Sequence, residues 1–456
     1  MKKIKSILMI GVTALLLPIS STVIAKETEN NPNVYSEDEI IRQPKLLERL
    51  IFSLIYQQHD DLEKILNLYK KSHSQDPYLI LWAEAKVLMK KREYQKAIKK
   101  LETILNNYDS QTIKFDLAIL YLLNKQYNQS EKVFNNLLVN ANDEQEKKNI
   151  NDYLKYIEDK KEANSYVNFS FQRDTNITKM SNNFTSEIRP NKQYLNVKDI
   201  GLSYNAGISK KIFFDSGLFS ELDVDVYGIR YLKEKRYDQL TTKIGNKIGF
   251  EDYYNYFFLK PFYTKAFYGG GVSNSETGFH SFYDAIGFDL FKLTSFNDKF
   301  KHTIFYENKN EYYTYNRNKD LNGDINLINS SLIFLPFNDL YLSLSGNYRV
   351  INREYRWDSY HVQGVGFLIR KLFLDDYLVE LNYDKMKTNY KTKSLDSFRV
   401  KREDITDSVS LSLSNRSINL FGIYPRISFS YNKNKSNHPY YSYTDKDISL
   451  EFRSDF

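Results

Sequence analysis

The sequence predicts a chain of two parts, a short helical solenoid followed by an antiparallel transmembrane β-barrel of fourteen strands. Three observations support this fold class. Between about residues 37 and 162 the apolar residues recur at helical spacing, whereas from residue 165 onward apolar and polar residues alternate. The first residues of the chain also have the pattern of a secretory signal.

The N-terminal segment is typical of a secretory signal peptide. Three lysines in the first five residues precede an apolar run over residues 7–17, and a small-residue cleavage site follows at residues 23–25. The apolar run is shorter than the roughly 20 residues that a bilayer-spanning helix needs. We therefore expect residues 1–25 to be a signal peptide, residues 26–160 to form a periplasmic helical domain and residues 165–456 to form an outer-membrane barrel.

The composition excludes several classes of protein. No later stretch of about 18 apolar residues is present, which excludes a helical membrane protein. The chain has no cysteine, which excludes disulfides, thiolate metal sites and a catalytic cysteine. The net charge of +7 is too small for 456 residues to indicate a nucleic-acid partner, and mixed surface charge accounts for it. We expect no metal and no cofactor.

The helical part contains an internal repeat. Each copy consists of two helices joined by a short polar turn, at residues 90–93 and 124–126, with Ala85 and Ala118 where the helices cross. The pattern resembles the tetratricopeptide repeat of about 34 residues, although Glu84 stands where that repeat usually has a leucine. Sliding the sequence by 33 residues aligns Tyr94 with Tyr127, Ala97 with Ser130, Leu101 with Phe134, Ile104 with Leu137 and Leu105 with Leu138.

About three such repeats would stack into a solenoid whose first helices line a concave face, and such faces commonly bind segments of other proteins. The alignment makes Trp82 equivalent to Phe115, and Lys86 equivalent to Ile119. We expect these four residues to point into the groove and to contact a client protein. In the alternative, Trp82 and Phe115 fill the core between helices or dock the domain on the barrel rim.

The alternation that begins at residue 165 is typical of a membrane barrel, in which one face of each strand meets hydrocarbon and the other meets a wet lumen. In one run, Leu222, Val224 and Val226 alternate with acidic residues. A soluble sandwich would also alternate. It would not need aromatic clusters near the strand ends, such as residues 253–258, which indicate the interfacial girdles of a membrane protein.

Fourteen alternating runs predict fourteen strands. Bacterial single-chain barrels have an even number of strands, and twelve or sixteen would also satisfy that rule. The runs cover residues 165–176, 198–213, 217–232, 237–251, 253–268, 276–292, 298–314, 325–335, 338–351, 358–371, 375–389, 397–414, 418–434 and 444–456.

The final run carries a second indication of location. Ile448, Leu450, Phe452 and Phe456 share one face, interrupted only by Ser454. This arrangement resembles the last strand of outer-membrane barrels, which typically ends in an aromatic residue that the barrel-assembly machinery reads. The resemblance implies that Phe452 and Phe456 form the assembly signal. Ser454 departs from it, because an aromatic or apolar residue is usual at that position.

A small helical-repeat domain followed by a fourteen-stranded barrel resembles the surface lipoprotein assembly modulator (Slam) family over essentially the whole mature chain. The resemblance is most specific in the C-terminal hairpin, residues 422–456, through Gly422, Pro425 and the stretch 431–437. Residues 173–178 are similar to a second family segment at the barrel entrance. In that family the barrel moves a partner protein across the outer membrane, usually a surface lipoprotein or a secreted haem or metal scavenger.

The resemblance implies a non-enzymatic translocator whose partners are a client lipoprotein or secreted protein, the barrel-assembly machinery and outer-membrane lipid. We expect a monomer. The chain has no nucleotide-binding motif of the type GxxxxGK, so the energy for transport must come from folding of the client outside the cell or from partner machinery. An opening seam or the lumen of the barrel would offer strand pairing to a β-rich client.

Other functions fit the sequence less well. An enzyme is not indicated, because the six histidines are scattered and none lies in a recognisable nucleophile motif. A polysaccharide export porin also combines such repeats with a barrel, but a charged polymer would need a lumen of one sign, whereas Asp223 and Asp225 coexist with Lys243 and Lys247. A plain diffusion porin needs no periplasmic solenoid. These two porins are the alternatives to a protein translocator.

Overall fold

The chain folds as two compact units that divide between Lys160 and Lys161. The computed structural model describes residues 37–181, 196–270, 279–314, 316–396, 398–419 and 422–454. The expected signal peptide lies outside these residues. Within the described part of the chain, no helix is both long enough and apolar enough to cross a membrane.

The first unit is helical. Consecutive helices pack against one another along the chain, as the stacked repeats predict. The helices of the described part are α1 (Glu37–Ile41), α2 (Pro44–Gln57), α3 (Leu62–Tyr69), α4 (Pro77–Lys90), α5 (Tyr94–Leu105), α6 (Gln111–Leu123), α7 (Tyr127–Asn140) and α8 (Glu144–Lys161).

Two turns of the helical unit have the same construction. Arg92, between α4 and α5, has a left-handed backbone with φ of 62°, and Lys125, between α6 and α7, has φ of 65°. In each turn the next residue donates its N–H to a carbonyl five residues earlier, at 2.9 Å for Glu93 and 2.8 Å for Gln126. This pattern ends the first helix and reverses the chain. The two turns lie 33 residues apart and therefore support the repeat found in the sequence.

Small residues allow the paired helices to approach closely. Ala85 is 1% exposed and Ala118 is fully buried, as the repeat alignment predicts for the crossing positions. Ala97 and Ser130 are the equivalent small residues of the second helices, and both are fully buried. The Ser130 hydroxyl donates to the Ala118 carbonyl at 2.8 Å, so its burial leaves no unsatisfied donor.

Glu84 joins three consecutive segments of the helical unit at the position where the repeat usually has leucine. The ammonium groups of Lys70 and Lys100 each lie 2.7 Å from one of its carboxylate oxygens. Burial alone would raise the pKa of Glu84, but the hydrogen bonds from Lys100 and Lys70 hold that pKa below its ordinary value. An ion-pair contact between helices thus replaces an apolar one.

The second unit is a closed antiparallel barrel of fourteen strands, in which each strand pairs with its neighbours in sequence and β1 pairs with β14. The prediction of fourteen strands is therefore confirmed, and each predicted run overlaps one strand. The strands are β1 (Ala163–Asp174), β2 (Asp199–Phe213), β3 (Leu218–Tyr231), β4 (Gln239–Glu251), β5 (Asn255–Tyr268), β6 (His280–Ser295), β7 (Phe300–Tyr313), β8 (Gly323–Phe337), β9 (Leu340–Arg353), β10 (Tyr360–Phe373), β11 (Tyr377–Lys393), β12 (Lys401–Asn415), β13 (Ile423–Ser436) and β14 (Tyr443–Ser454).

The two faces of the strands differ as the alternation predicts. Leu222 of β3 points outward and is 52% exposed on the protein surface, whereas its neighbour Asp223 points into the barrel and is 5% exposed. The same contrast recurs in β14, where Ile448 and Leu450 point outward and Asp445 is fully buried inside. An apolar exterior around a polar interior is the arrangement that a strand barrel needs in a bilayer.

The connections differ between the two ends of the barrel. At the end where β1 begins, short turns join the strands, such as the two-residue connection between β8 and β9. Most connections at the other end are longer, and the one between β1 and β2, residues 175–198, has the most residues. Gly217 shows how tight the short turns are: its φ is +81°, and a Cβ there would lie 2.3 Å from the Glu251 carbonyl oxygen.

We predict that Glu84→Gln destabilises the helical unit by about 1 kcal/mol at pH 7, because the glutamine loses the charge that pairs with two lysines. The folded-state pKa of Glu84 lies below its ordinary value of 4.5, so the stabilisation is present above pH 4.5 and is lost as the pH falls through the folded-state pKa. Thermal unfolding of the full chain, followed by helical circular dichroism, should show the two proteins converging in acid.

The matched control is Glu63→Gln. Glu63 pairs with Lys91 at 2.6 Å, but its side chain is 50% exposed, so solvent screens that ion pair more strongly. We expect a smaller effect from this variant. A pH-independent difference for Glu84→Gln would contradict the assigned role of the ion pairs.

Candidate functional site

An aromatic groove on the helical unit is the first candidate site. Its volume is about 660 Å³, and residues of α2, α4, α5 and α6 and of the segments between them line it. Tyr56 is 61% exposed and Tyr108 is 59% exposed at its rim, where the Tyr78 ring meets the Tyr108 ring at 4.7 Å. Exposed aromatic rings around a concave apolar surface commonly mark a binding site for another protein.

Trp82 forms part of the floor of this groove and is 8% exposed. The Phe52 and Tyr56 rings of α2 meet its ring edge-on, with centroids 5.9 and 6.1 Å away. Its indole N–H donates to one carboxylate oxygen of Asp116 at 2.8 Å, and the Lys86 ammonium donates to the other at 2.6 Å. Asp116 of α6 therefore fixes two residues of α4.

Phe115 and Ile119 lie on the same helix as Asp116 but have other neighbours. Phe115 packs edge-on against Phe134 of α7 at 5.8 Å and Tyr153 of α8 at 6.0 Å, and Ile119 is 8% exposed. The structure thus brings two of the four predicted groove residues, Trp82 and Lys86, together on one carboxylate. It places Phe115 between three helices.

The sequence reasoning missed the residues that form the exposed part of the groove, Tyr56 and Tyr108, and the carboxylate of Asp116. Tyr108 lies just beyond a helix end, outside the positions that the repeat alignment compares. Asp116 aligns with Ala83, so the repeat gave no sign of a polar residue there. The available signal was an acidic residue next to Phe115, at the start of the apolar stretch of that helix.

The lumen of the barrel is the second candidate site, and ion pairs and aromatic rings line it on the side of β3 to β9. The Phe219 ring stacks on Tyr256 at 5.4 Å, and the Phe258 ring stacks on Phe291 at 5.4 Å. Charges of both signs face the lumen, and each lysine or arginine named here pairs with a carboxylate on another strand. The ion pairs join Lys260 to Asp223, Lys247 to Glu221 at 2.8 Å, Lys243 to Asp289 at 3.0 Å and Arg353 to Glu311 at 2.9 Å.

The side of the lumen next to β1 is lined differently. A cavity of about 480 Å³ lies against the inner faces of β12, β13, β14 and β1. Arg426 in its wall pairs with Glu380 at 2.7 Å. Five small hydroxyl side chains also line it, Ser410, Ser412, Ser428, Ser430 and Ser449.

The final strand lies at the junction where the barrel closes. Phe452, one of the two predicted assembly residues, stacks on Phe169 of β1 with ring centroids 4.9 Å apart. The other, Phe456, lies outside the described residues. Ser454, which departs from the usual pattern, is 8% exposed and hydrogen bonds to β1.

Comparisons with known proteins match both units. The family model described as "Surface lipoprotein assembly modifier" matches residues 164–456, and the model described as "Surface lipoprotein assembly modifier, N-terminal TPR repeats" matches residues 34–134. Surface lipoprotein assembly modifier 1 of Haemophilus influenzae is 24% identical over 94% of this chain and 89% of its own. The surface lipoprotein assembly modifier of Pasteurella multocida is 22% identical over 92% of this chain and 84% of its own. Surface lipoprotein assembly modifier 1 of Neisseria meningitidis serogroup B has the same identity and coverages.

We predict that Lys260→Met destabilises the barrel by about 3 kcal/mol, because it leaves the Asp223 carboxylate buried with only the Lys247 ammonium, 4.0 Å away, as a charge partner. The temperature at which the folded, fast-migrating band is lost in electrophoresis measures the effect. The double variant Lys260→Met with Asp223→Leu removes both charges and should restore most of the lost stability. An equally unstable double variant would show that packing, and not the buried charge, causes the loss.

Proposed function

The chain belongs to the surface lipoprotein assembly modifier family, and on this premise we propose that it moves a partner protein across the outer membrane to the cell surface. The protein is an outer-membrane barrel whose helical repeats lie in the periplasm. The proposed client is a surface lipoprotein or a small secreted haem- or metal-binding protein. The transport is non-enzymatic, and the helical repeats recruit the client.

The observation that carries this proposal is the match to the family in both units at once. The relatives with this two-part organisation are named for the assembly of surface lipoproteins. A barrel match alone would also fit a diffusion porin. The N-terminal repeats give the protein a periplasmic binding surface, which a translocator needs and a diffusion porin does not.

The aromatic groove supports the recruitment role. A client that has not yet folded exposes extended apolar segments, and a groove rimmed by Tyr56 and Tyr108 offers large apolar contact areas with a hydroxyl at each edge. Trp82 in the floor is held in place before any client binds, because its indole N–H donates to Asp116, which Lys86 also contacts. Prearranged side chains of this kind reduce the entropy lost on binding.

The charges in the lumen favour a protein client over a charged polysaccharide. The ion pairs on the side of β3 to β9 place carboxylates beside ammonium groups, so a polyanion passing along them would meet charges of its own sign as well as the opposite sign. A protein chain carries charges of both signs and apolar groups, and such a surface repels it less. The barrel-assembly machinery would insert the barrel itself, with Phe452 and Phe456 as the assembly signal.

The function is tested by display of a client on intact cells. We predict that a Gram-negative host which expresses an epitope-tagged lipoprotein encoded beside this gene shows surface antibody binding at least tenfold above the host without this protein. Flow cytometry of unpermeabilised cells measures it, and permeabilised cells control for total client. Equal surface signal with and without the protein would refute the proposal, and surface export of a polysaccharide instead would favour the porin alternative.

The recruitment role is tested with a double variant of the groove rim. We predict that Tyr56→Ala with Tyr108→Ala lowers client display at least tenfold, since aromatic anchors often contribute about 2 kcal/mol each to an interface and about 1.4 kcal/mol is already tenfold in affinity. Both rings are largely exposed, so folding should be retained. The matched control is Val139→Ala in α7, an 85% exposed apolar residue that does not line the groove, and it should display the client normally. Normal display by the double variant would exclude the groove as the recruiting surface.

A further inference from the structure

The seam where β1 meets β14 has the shortest ladder of the barrel. Within the described residues, five residue pairs form it, from Phe169 with Phe452 to Arg173 with Ile448. Each of the other thirteen seams has at least eleven paired positions, with β12–β13 as an example of eleven. Both strands at the short seam extend well beyond its five pairs, since β1 spans Ala163–Asp174 and β14 spans Tyr443–Ser454.

At the end nearer the short turns, a side chain takes the place of the ladder. The register of the five pairs would set Val167 opposite Ser454, but the Ser454 hydroxyl lies between the two strands. It accepts from the Val167 N–H at 3.0 Å and donates to the Val167 carbonyl at 3.0 Å. The Ser454 N–H in turn donates to the side-chain oxygen of Asn168 at 2.9 Å.

Side chains also replace the ladder at the end nearer the long loops. The Thr175 N–H and hydroxyl both donate to one carboxylate oxygen of Asp447, at 2.9 and 3.0 Å. The Lys446 N–H donates to the Thr175 hydroxyl at 3.4 Å. The five backbone pairs are thus bounded on both sides by hydrogen bonds that depend on single side chains.

The segment after β1 also contacts β14 and the loop before it, through an ion pair and a hydrogen bond. The Lys179 ammonium lies 2.9 Å from the buried Asp445 carboxylate of β14, and the Ser181 N–H donates to the Tyr440 carbonyl at 2.8 Å. Asn176 is fully buried within the segment, and its side chain donates to the Met180 carbonyl at 2.8 Å. Residues 174–181, which we call the latch, therefore bind β1 to β14 and to the loop before β14.

The lumen gives access to this seam. The serine-lined cavity of about 480 Å³ lies along the inner faces of β12, β13, β14 and β1, and latch residues Asp174 and Lys179 are part of its wall. A second cavity, of about 370 Å³, touches the other end of the seam at Tyr166 and Ser454 and extends to Asp223 and Lys260. Free volume thus lies beside the seam that has the shortest ladder of the described barrel.

We propose that the β1–β14 seam opens during transport and that an extended strand of the client pairs with the edges that it exposes. This inference rests on the proposed function and adds the route. The surrounding hydrocarbon determines what can bind in the open seam. Backbone N–H and C=O groups in hydrocarbon must be hydrogen bonded, so the two exposed strand edges need another strand to pair with. A β-rich client supplies one, because backbone pairing accepts any sequence that extends.

Disulfide locks across the seam test the route, and the absence of native cysteine makes them unambiguous. Two locks are needed because adjacent antiparallel pairs alternate in geometry and the closer, non-hydrogen-bonded pair suits a disulfide. Ser170→Cys with Glu451→Cys locks the inner face, and Phe171→Cys with Leu450→Cys locks the outer face. The matched controls are Ser331→Cys with Ser345→Cys and Leu332→Cys with Leu344→Cys in the β8–β9 seam.

Display of the tagged lipoprotein described above is then measured on oxidised and reduced cells. We expect the oxidised seam lock to reduce display at least tenfold, reduction to restore it, and the β8–β9 locks to have no effect. Full display by an oxidised, folded seam lock overturns the route while the translocation function stands. If cells that express the protein without engineered cysteines display no client, the translocation function and the route are both contradicted.

A second measurement, disulfide trapping of the client, does not require a disulfide across the seam. Single cysteines Phe171→Cys and Leu450→Cys, one on each edge of the seam, are expressed with clients that carry one cysteine in a β-strand. We expect mixed disulfides between client and seam, and none with the control Leu332→Cys. Trapping at Leu332→Cys alone, or at neither seam position, would contradict strand pairing at the seam.

Discussion

The requirement that every backbone N–H and C=O in hydrocarbon be hydrogen bonded within the protein governs the barrel. It explains the closure of fourteen strands, because an open sheet would leave two unpaired edges in the bilayer. It also makes the last seam the critical one, since β14 must find β1 across almost the whole barrel sequence. The apolar exterior and polar interior follow once the ring is closed.

The helical unit obeys a different constraint, the burial of one apolar face of each helix against the next repeat. Small residues at the crossings and left-handed turns at Arg92 and Lys125 set the spacing between repeats. The constraint leaves the outer positions of the first helices free to vary. The first helices carry Tyr56 in α2 and Trp82 in α4, so the groove combines an exposed aromatic rim with a floor that a hydrogen bond to Asp116 fixes.

The fold was largely predictable because it depends on periodicity. Alternation located all fourteen strands, and the 33-residue repeat located Ala85 and Ala118 at the helix crossings. The resemblance to the family is likewise confirmed, over residues 34–134 and 164–456. The candidate site was not predictable to the same extent. Asp116 and Tyr108 act through neighbours on other helices, and no period in the sequence reports which side chains meet across a groove.

Ser454 shows how one departure from the family pattern acquires a physical reason. An aromatic side chain at this position would point to lipid and leave the strands to pair through their backbones. A serine is small enough to lie between the strands. Its hydroxyl both accepts and donates, so this one side chain satisfies both the N–H and the C=O of Val167. The closed seam therefore leaves neither group unpaired in the bilayer. Its ends are held by side chains at Ser454, Thr175 and Asp447, which separate by changing rotamer, whereas a continuous ladder separates only when the strands themselves move apart.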